Sequence, residues 1–200
     1  MFSLETLLGQ QQGAEAVSQV SRQVGAEPEL VNTAIQMALP ALINGLANNV
    51  ATPEGAQSLD NALQNDNHAG ILDNLSGLGS MIFGGGQTPP GANAGGILGH
   101  ILGNSQGAVA QQISNQSGLS IGQVAQILMF LAPIVMGYLG KQKQENNLDA
   151  GGLASILLGQ QQQIQQNPQS SFITQMLDSD GDGSALDDIA SIAFKYITNR

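Results

Sequence analysis

Ile127-Leu128-Met129-Phe130-Leu131-Ala132-Pro133-Ile134-Val135-Met136-Gly137-Tyr138-Leu139 is the longest apolar run in this chain, 13 residues interrupted by Pro133 and Gly137. Crossing a bilayer takes about 20 apolar residues in a helix, and runs of about 10 to 14 are those of buried core helices. The run is therefore read as core. Widening the window, Val124, Leu128, Leu131, Val135 and Leu139 recur at intervals of three or four, the period of one helix face. A shift of 93 positions carries Gly118 back onto Gly25, Pro133 onto Pro40, Val124 onto Val31 and Leu139 onto Leu46. The earlier segment repeats the face as Val31, Ile35, Ala38, Leu42 and Leu46, and Val20 aligns with Ile113. Coinciding apolar positions, rather than identity in a chain rich in Gln, Gly and Ala, point to an internal duplication.

Each copy reads as a helical hairpin. A first helix near Ala14 to Val24, or Ala108 to Ser117, stops at a glycine suited to a left-handed C-terminal cap, and a second helix starts just beyond it, at Glu27-Pro28 in the first copy. Pro40 and Pro133 fall inside the second helices, where each removes a backbone hydrogen bond and is expected to kink or divide the helix. Thr52-Pro53-Glu54-Gly55 is a helix start with Thr52 as cap, leading through Leu63. Further helices are predicted over 71–82, 97–102, 153–166, 172–177 and 188–197. Nothing alternates convincingly with period two, and β-branched and aromatic residues are sparse, so the fold class is all-α. The glycines and prolines from Gly84 to Gly96 read as a linker. The predicted organisation is repeat 1 over 1–83, linker 84–96, repeat 2 over 97–167, and a C-terminal helix–loop–helix over 168–200.

Composition narrows function mainly by exclusion. Only 10% of residues are charged and the net charge is -10, so a surface that must neutralise many phosphates lacks its raw material and nucleic acid is excluded as a partner. Arg22, Lys141, Lys143, Lys195 and Arg200 are too few and scattered to anchor the chain electrostatically to anionic lipid. The absence of cysteine removes disulfides, thiolate nucleophiles and Cys-ligated metals together. No basic segment followed by an apolar core opens the sequence, and the expected compartment is the cytoplasm.

One segment carries specific chemistry. Asp178-Ser179-Asp180-Gly181-Asp182-Gly183-Ser184 places carboxylates at positions one, three and five of a loop, glycine at six and a ligating carbonyl at seven, the beginning of a calcium loop. Position twelve, where an EF-hand offers a bidentate Glu, is Ile189. In a shortened loop Asp187 or Asp188, at ten and eleven, can close the sphere instead, and Asp188 is favoured. The expected calcium ligands are thus Asp178, Asp180, Asp182, Ser184, Asp187 and Asp188. The alternative is a solvated turn in which Asp187 or Asp188 only caps the last helix. Five acids within eleven residues repel one another unless a cation intervenes, which favours the metal.

Enzyme signals do not assemble. Gly103-Asn104-Ser105-Gln106-Gly107 has the spacing of a nucleophile elbow but no strand to enter it, and His68 and His100 are the only histidines. The glycine-rich centre lacks a phosphate loop's ending. The expectation is a non-enzymatic binding or scaffold protein with an unidentified protein partner or self-association. The alternative is a membrane-associated protein that inserts the helix over 127–139.

The second helices, Met37 to Leu46 and Leu131 to Gly137, together with the segments His68 to Leu75 and Gly96 to Gly103, resemble a bacterial family of domains of unknown function, number nine-three-seven, with YidB-like relatives; Asp178 to Asp188 is similar to a frequent tail of that family. The resemblance implies an all-helical fold. It implies no activity, and calcium binding rests on the loop spacing alone.

Overall fold

The computed structural model describes residues 4–65 and 93–165, with single positions at 72, 77 and 82. Short turns join helices in the described residues, with no strand among them: α1 (Leu4–Leu8), α2 (Gln10–Val24), α3 (Pro28–Asn49), α4 (Pro53–Asn65), α5 (Ala94–Leu102), a 3-10 turn (Gly103–Ser105), α6 (Gln106–Ser117), α7 (Ile121–Asn146) and α8 (Ala150–Gln165). The helices expected over 71–82, 172–177 and 188–197 lie outside the described residues, apart from the single positions. The chain divides into one compact unit over residues 1–161 and a second from 162 onward.

Local chemistry sets the hairpins. α2 and α6 both end at a glycine in the left-handed region, Gly25 at φ 65° and Gly118 at φ 77°, whose N–H groups reach the carbonyls of Ser21 and Ser114. A side chain at such a φ would be strained, which is why glycine stands at both turns. α3 starts as predicted, with Glu27 at the cap and Pro28 in the first turn. α7 starts with a capping box: the Ser120 hydroxyl accepts from the Gln123 N–H (3.3 Å), and the Gln123 Oε1 accepts from the Ser120 N–H (3.0 Å). Replacing Ser120 by Ala is expected to cost about 1 kcal/mol and Ser120→Asn much less, measured by urea unfolding. α4 and α8 start alike, the Gly55 N–H donating to Thr52 Oγ1 and the Gly152 N–H to Asp149 Oδ1.

Of the two outcomes expected at the prolines, a kink or a division, division does not occur. α3 and α7 run as single long helices through Pro40 and Pro133. The cost of an interior proline, about 3 kcal/mol, is outweighed because both helices are packed on either side of it. α5 begins at Ala94, not Ile97, because Asn93 caps it, its Oδ1 accepting from the Gly96 N–H at 3.3 Å. Gly95 and Gly96 therefore form a first helical turn.

The core is built on the two long helices. Val31, Ile35, Ala38, Leu42 and Leu46 are buried, and so are Val124, Leu128, Leu131, Val135 and Leu139. Burial extends beyond one face: Ala34, Leu39, Ala41 and Ile43 on α3, and every residue from Ile127 to Gly140 except Met129 and Tyr138 on α7, are also enclosed. α3 packs against α7 and, in addition, α2, α5 and α6; α7 packs against α2, α4, α5 and α6. The segments before and after the glycine-rich stretch thus share one core.

Candidate functional site: a cleft between four helices

α3, α4, α5 and α7 enclose a cleft of about 460 Å³. Leu46, Leu59, Ile97, Ile101 and Met136 supply an apolar wall, and Asn49, Ser58 and His100 supply the polar groups. Close approach of α3 and α5 forms one edge. The Asn49 Nδ2 donates to the carbonyls of His100 (2.6 Å) and Ile101 (3.4 Å), and a Cβ on Gly45 would lie 2.6 Å from the Ile101 carbonyl oxygen. Ser58 sits on α4, where its hydroxyl donates to the Glu54 carbonyl at 2.8 Å. Its proton is engaged with its own helix, and its position four residues on from Glu54 is the ordinary back-bonding geometry of a helical serine. The cleft thus sets an apolar wall beside a rim of hydrogen-bonding groups, and the one hydroxyl among the described residues of its lining, that of Ser58, is bonded back to its own helix.

The predicted chemistry is distributed as follows. Asp178, Asp180, Asp182, Ser184, Asp187 and Asp188 lie outside the described residues, as does His68. Among the described residues no group of three or more His, Asp or Glu side chains could hold a metal ion. Ser105 is exposed on the 3-10 turn and is entered from α5, so the strand-to-helix geometry of a nucleophile elbow is not what surrounds it. His100 is on the cleft rim, exposed in the last turn of α5.

Sequence reading missed an ion pair. Lys143, near the end of α7, meets Asp60 of α4, with side-chain exposures of 15% and 14%, and its ammonium also donates to the Leu148 carbonyl at 2.9 Å. The two residues are 83 positions apart and carry no local signal of pairing. Charges so far removed from water persist where they are paired and hydrogen-bonded, as this lysine is.

α3 and α7 are long and apolar enough to cross a membrane, with mean hydropathy of 1.4 and 1.6 over the best window. In each, 61% of that window is buried inside the protein.

An all-α protein with long apolar helices enclosed in one core is the class that the fold defines. Within it, the chain belongs to the family described as bacterial protein of unknown function (DUF937), whose model matches residues 6–142. That span includes both hairpins and stops ahead of the Asp-rich tail. No curated protein and no solved structure matches the chain.

Proposed function

We propose that this chain is a non-enzymatic, cytoplasmic helical binding or scaffold protein whose C-terminal loop takes a calcium ion. The observation that carries the reading is the alternate spacing of Asp178, Asp180 and Asp182 ahead of Gly183. Residues so spaced in a tight loop turn toward one centre, the glycine permits the turn, and the Ser184 carbonyl and either Asp188 or Asp187 bring the oxygen donors to the six or more that calcium takes. Magnesium fits poorly, because it dehydrates reluctantly and demands near-octahedral geometry. Support for the absence of catalysis comes from the placement of the hydroxyls: Ser58 is tied to its own helix and Ser105 lies outside an elbow. Either a protein partner or self-association fits an acidic surface poor in charge.

Calorimetric titration of the chelator-stripped full chain with calcium tests the reading. Saturable binding is expected, and it is expected to vanish in the Asp180→Ala, Asp182→Ala double variant. No heat and an unchanged melting temperature at millimolar calcium would leave the acids as a solvated turn. The membrane reading is favoured by the length and hydropathy of α3 and α7 and opposed by their enclosure. Co-sedimentation of the chain with liposomes would restore it.

A further inference from the structure

We propose that the described helices within residues 4–161 are a fused, pseudo-twofold dimer of one helical unit, and that the partner which its internal interface fits is the opposite half of a second copy of this chain. The contacts between the two hairpins are reciprocal, while α5 packs on α3 without a comparable packing of α1 on α7. α3 packs on α6 as α7 packs on α2, and α3 and α7 pack on each other. The outer helices cross over in the same sense: Asp60 of α4 pairs with Lys143 of α7, and Gln161 of α8 donates to Asn44 (2.5 Å) and Asn48 (3.0 Å) of α3. Burial follows the shift of 93 positions, since Ala16 and Val109, Val20 and Ile113, Val31 and Val124, Ile35 and Leu128 are all enclosed. An interface in which each partner offers the same patch to the other is isologous, the form that C2 dimers take.

Each long helix takes cover from the other half. α3 has no exposed residue from Met37 to Ala47, and α5, α6 and α7 of the other half supply most of the helices packed on it, with α2 from its own; α7 is covered by α5 and α6 of its own half and by α2, α3 and α4 of the other. Each half therefore requires an opposite half, and nothing in these contacts depends on which copy provides it. Exchange between two chains would remake every contact between halves. Tethering holds the two halves of one chain at an effective concentration on the order of millimolar, so the wild-type chain closes on itself in dilute solution. Self-association by exchange emerges when the closed form is penalised. The proposal does not rest on the calcium loop.

The Lys143–Asp60 pair gives the test, carried out on full-length chains. A Lys143→Asp chain that closes on itself brings two carboxylates together, and an Asp60→Lys chain brings two ammonium groups together. When the two are refolded as a mixture, a dimer that exchanges halves has the native pair in one body and the reversed pair in the other. It is the only species free of like-charge contacts at both sites. The expected result is a one-to-one dimer, at twice the 20.6 kDa chain mass, exceeding either homodimer by roughly tenfold and melting above either variant alone. The Asp60→Lys, Lys143→Asp double variant should fold as a monomer, establishing that the reversed pair is tolerated. If the single variants fail to fold separately, recovery of soluble mixed dimer on co-refolding supports the proposal equally. Only monomers or only aggregate from the mixture, while the double variant folds, would overturn it.

Discussion

Replacing Gly55 or Gly45 by alanine will destabilise the protein, whereas the same change at Gly159 will stabilise it. Helix propensity alone predicts a gain at all three positions, because each lies within a helix and alanine loses less backbone freedom than glycine, by about 0.5–1 kcal/mol. Packing reverses the sign at two of them. A Cβ on Gly55 would stand 1.7 Å from the Asn49 carbonyl oxygen, and one on Gly45 would stand 2.6 Å from the carbonyl oxygen of Ile101. Both obstacles are backbone atoms, in the last turn of α3 and in α5, so no rotamer change can clear them and a helix must move. Overpacking of this sort costs about 1–3 kcal/mol and occasionally more. Gly55→Ala is placed at the upper end, roughly 3 kcal/mol, or about 10 °C in melting temperature for a chain of this size. Gly45→Ala is placed near 2 kcal/mol by the same reasoning, with a further consequence for the cleft: separating α3 from α5 breaks the Asn49 hydrogen bonds that hold its edge. Gly159 has nothing within 4 Å of a built Cβ, and Gly159→Ala should gain about 0.5–1 kcal/mol. Urea unfolding followed by circular dichroism reads all three. Stabilisation at Gly55 or Gly45 comparable to that at Gly159 would mean that the helices do not approach as described.

The same contrast explains which features were legible in the sequence. Short-range chemistry reads directly: the left-handed glycines Gly25 and Gly118, the Glu27-Pro28 start and the Thr52 cap act within one turn, and all stand where the sequence puts them. The apolar faces of α3 and α7 read from their period. Their burial on the remaining sides does not, because Ala34, Ala41 and Ala132 give the same sequence signal whether they face solvent or a neighbouring helix. The prolines show the limit from the other direction. A rule about isolated helices offers a kink or a division at Pro40 and Pro133, and it is the packing around both helices that keeps each of them undivided. Long-range partners carry no signature at all, as Asp60 and Lys143 illustrate, and the cleft takes one or more residues from each of four helices. Asp178 to Asp188 is the converse case, a motif legible from spacing and lying outside the described residues.

Truncating Phe130 to alanine is expected to cost about 3–5 kcal/mol, the largest loss anticipated for a single side-chain truncation in α7. Among the described residues Phe130 is the largest of the fully buried side chains, 1% exposed, and neighbours on the same helix such as Ile134 and Leu131 are enclosed as well. Removing the ring forfeits its transfer free energy and leaves a cavity that rigid helices on several sides can close only in part. Ile121, in the first turn of the same helix, is 46% exposed, and Ile121→Ala should change stability by no more than about 0.5 kcal/mol. The pair also decides between the two readings of α7. In a helix enclosed by protein, the two truncations differ by several kcal/mol in the soluble chain, or roughly 10 °C by calorimetry. In a helix whose apolar surface is held for lipid, the Phe130 ring has few protein atoms to lose, and the two would be nearly alike. Equal melting temperatures for Phe130→Ala and Ile121→Ala would therefore contradict the enclosed core and restore insertion of the 127–139 helix as the function to pursue.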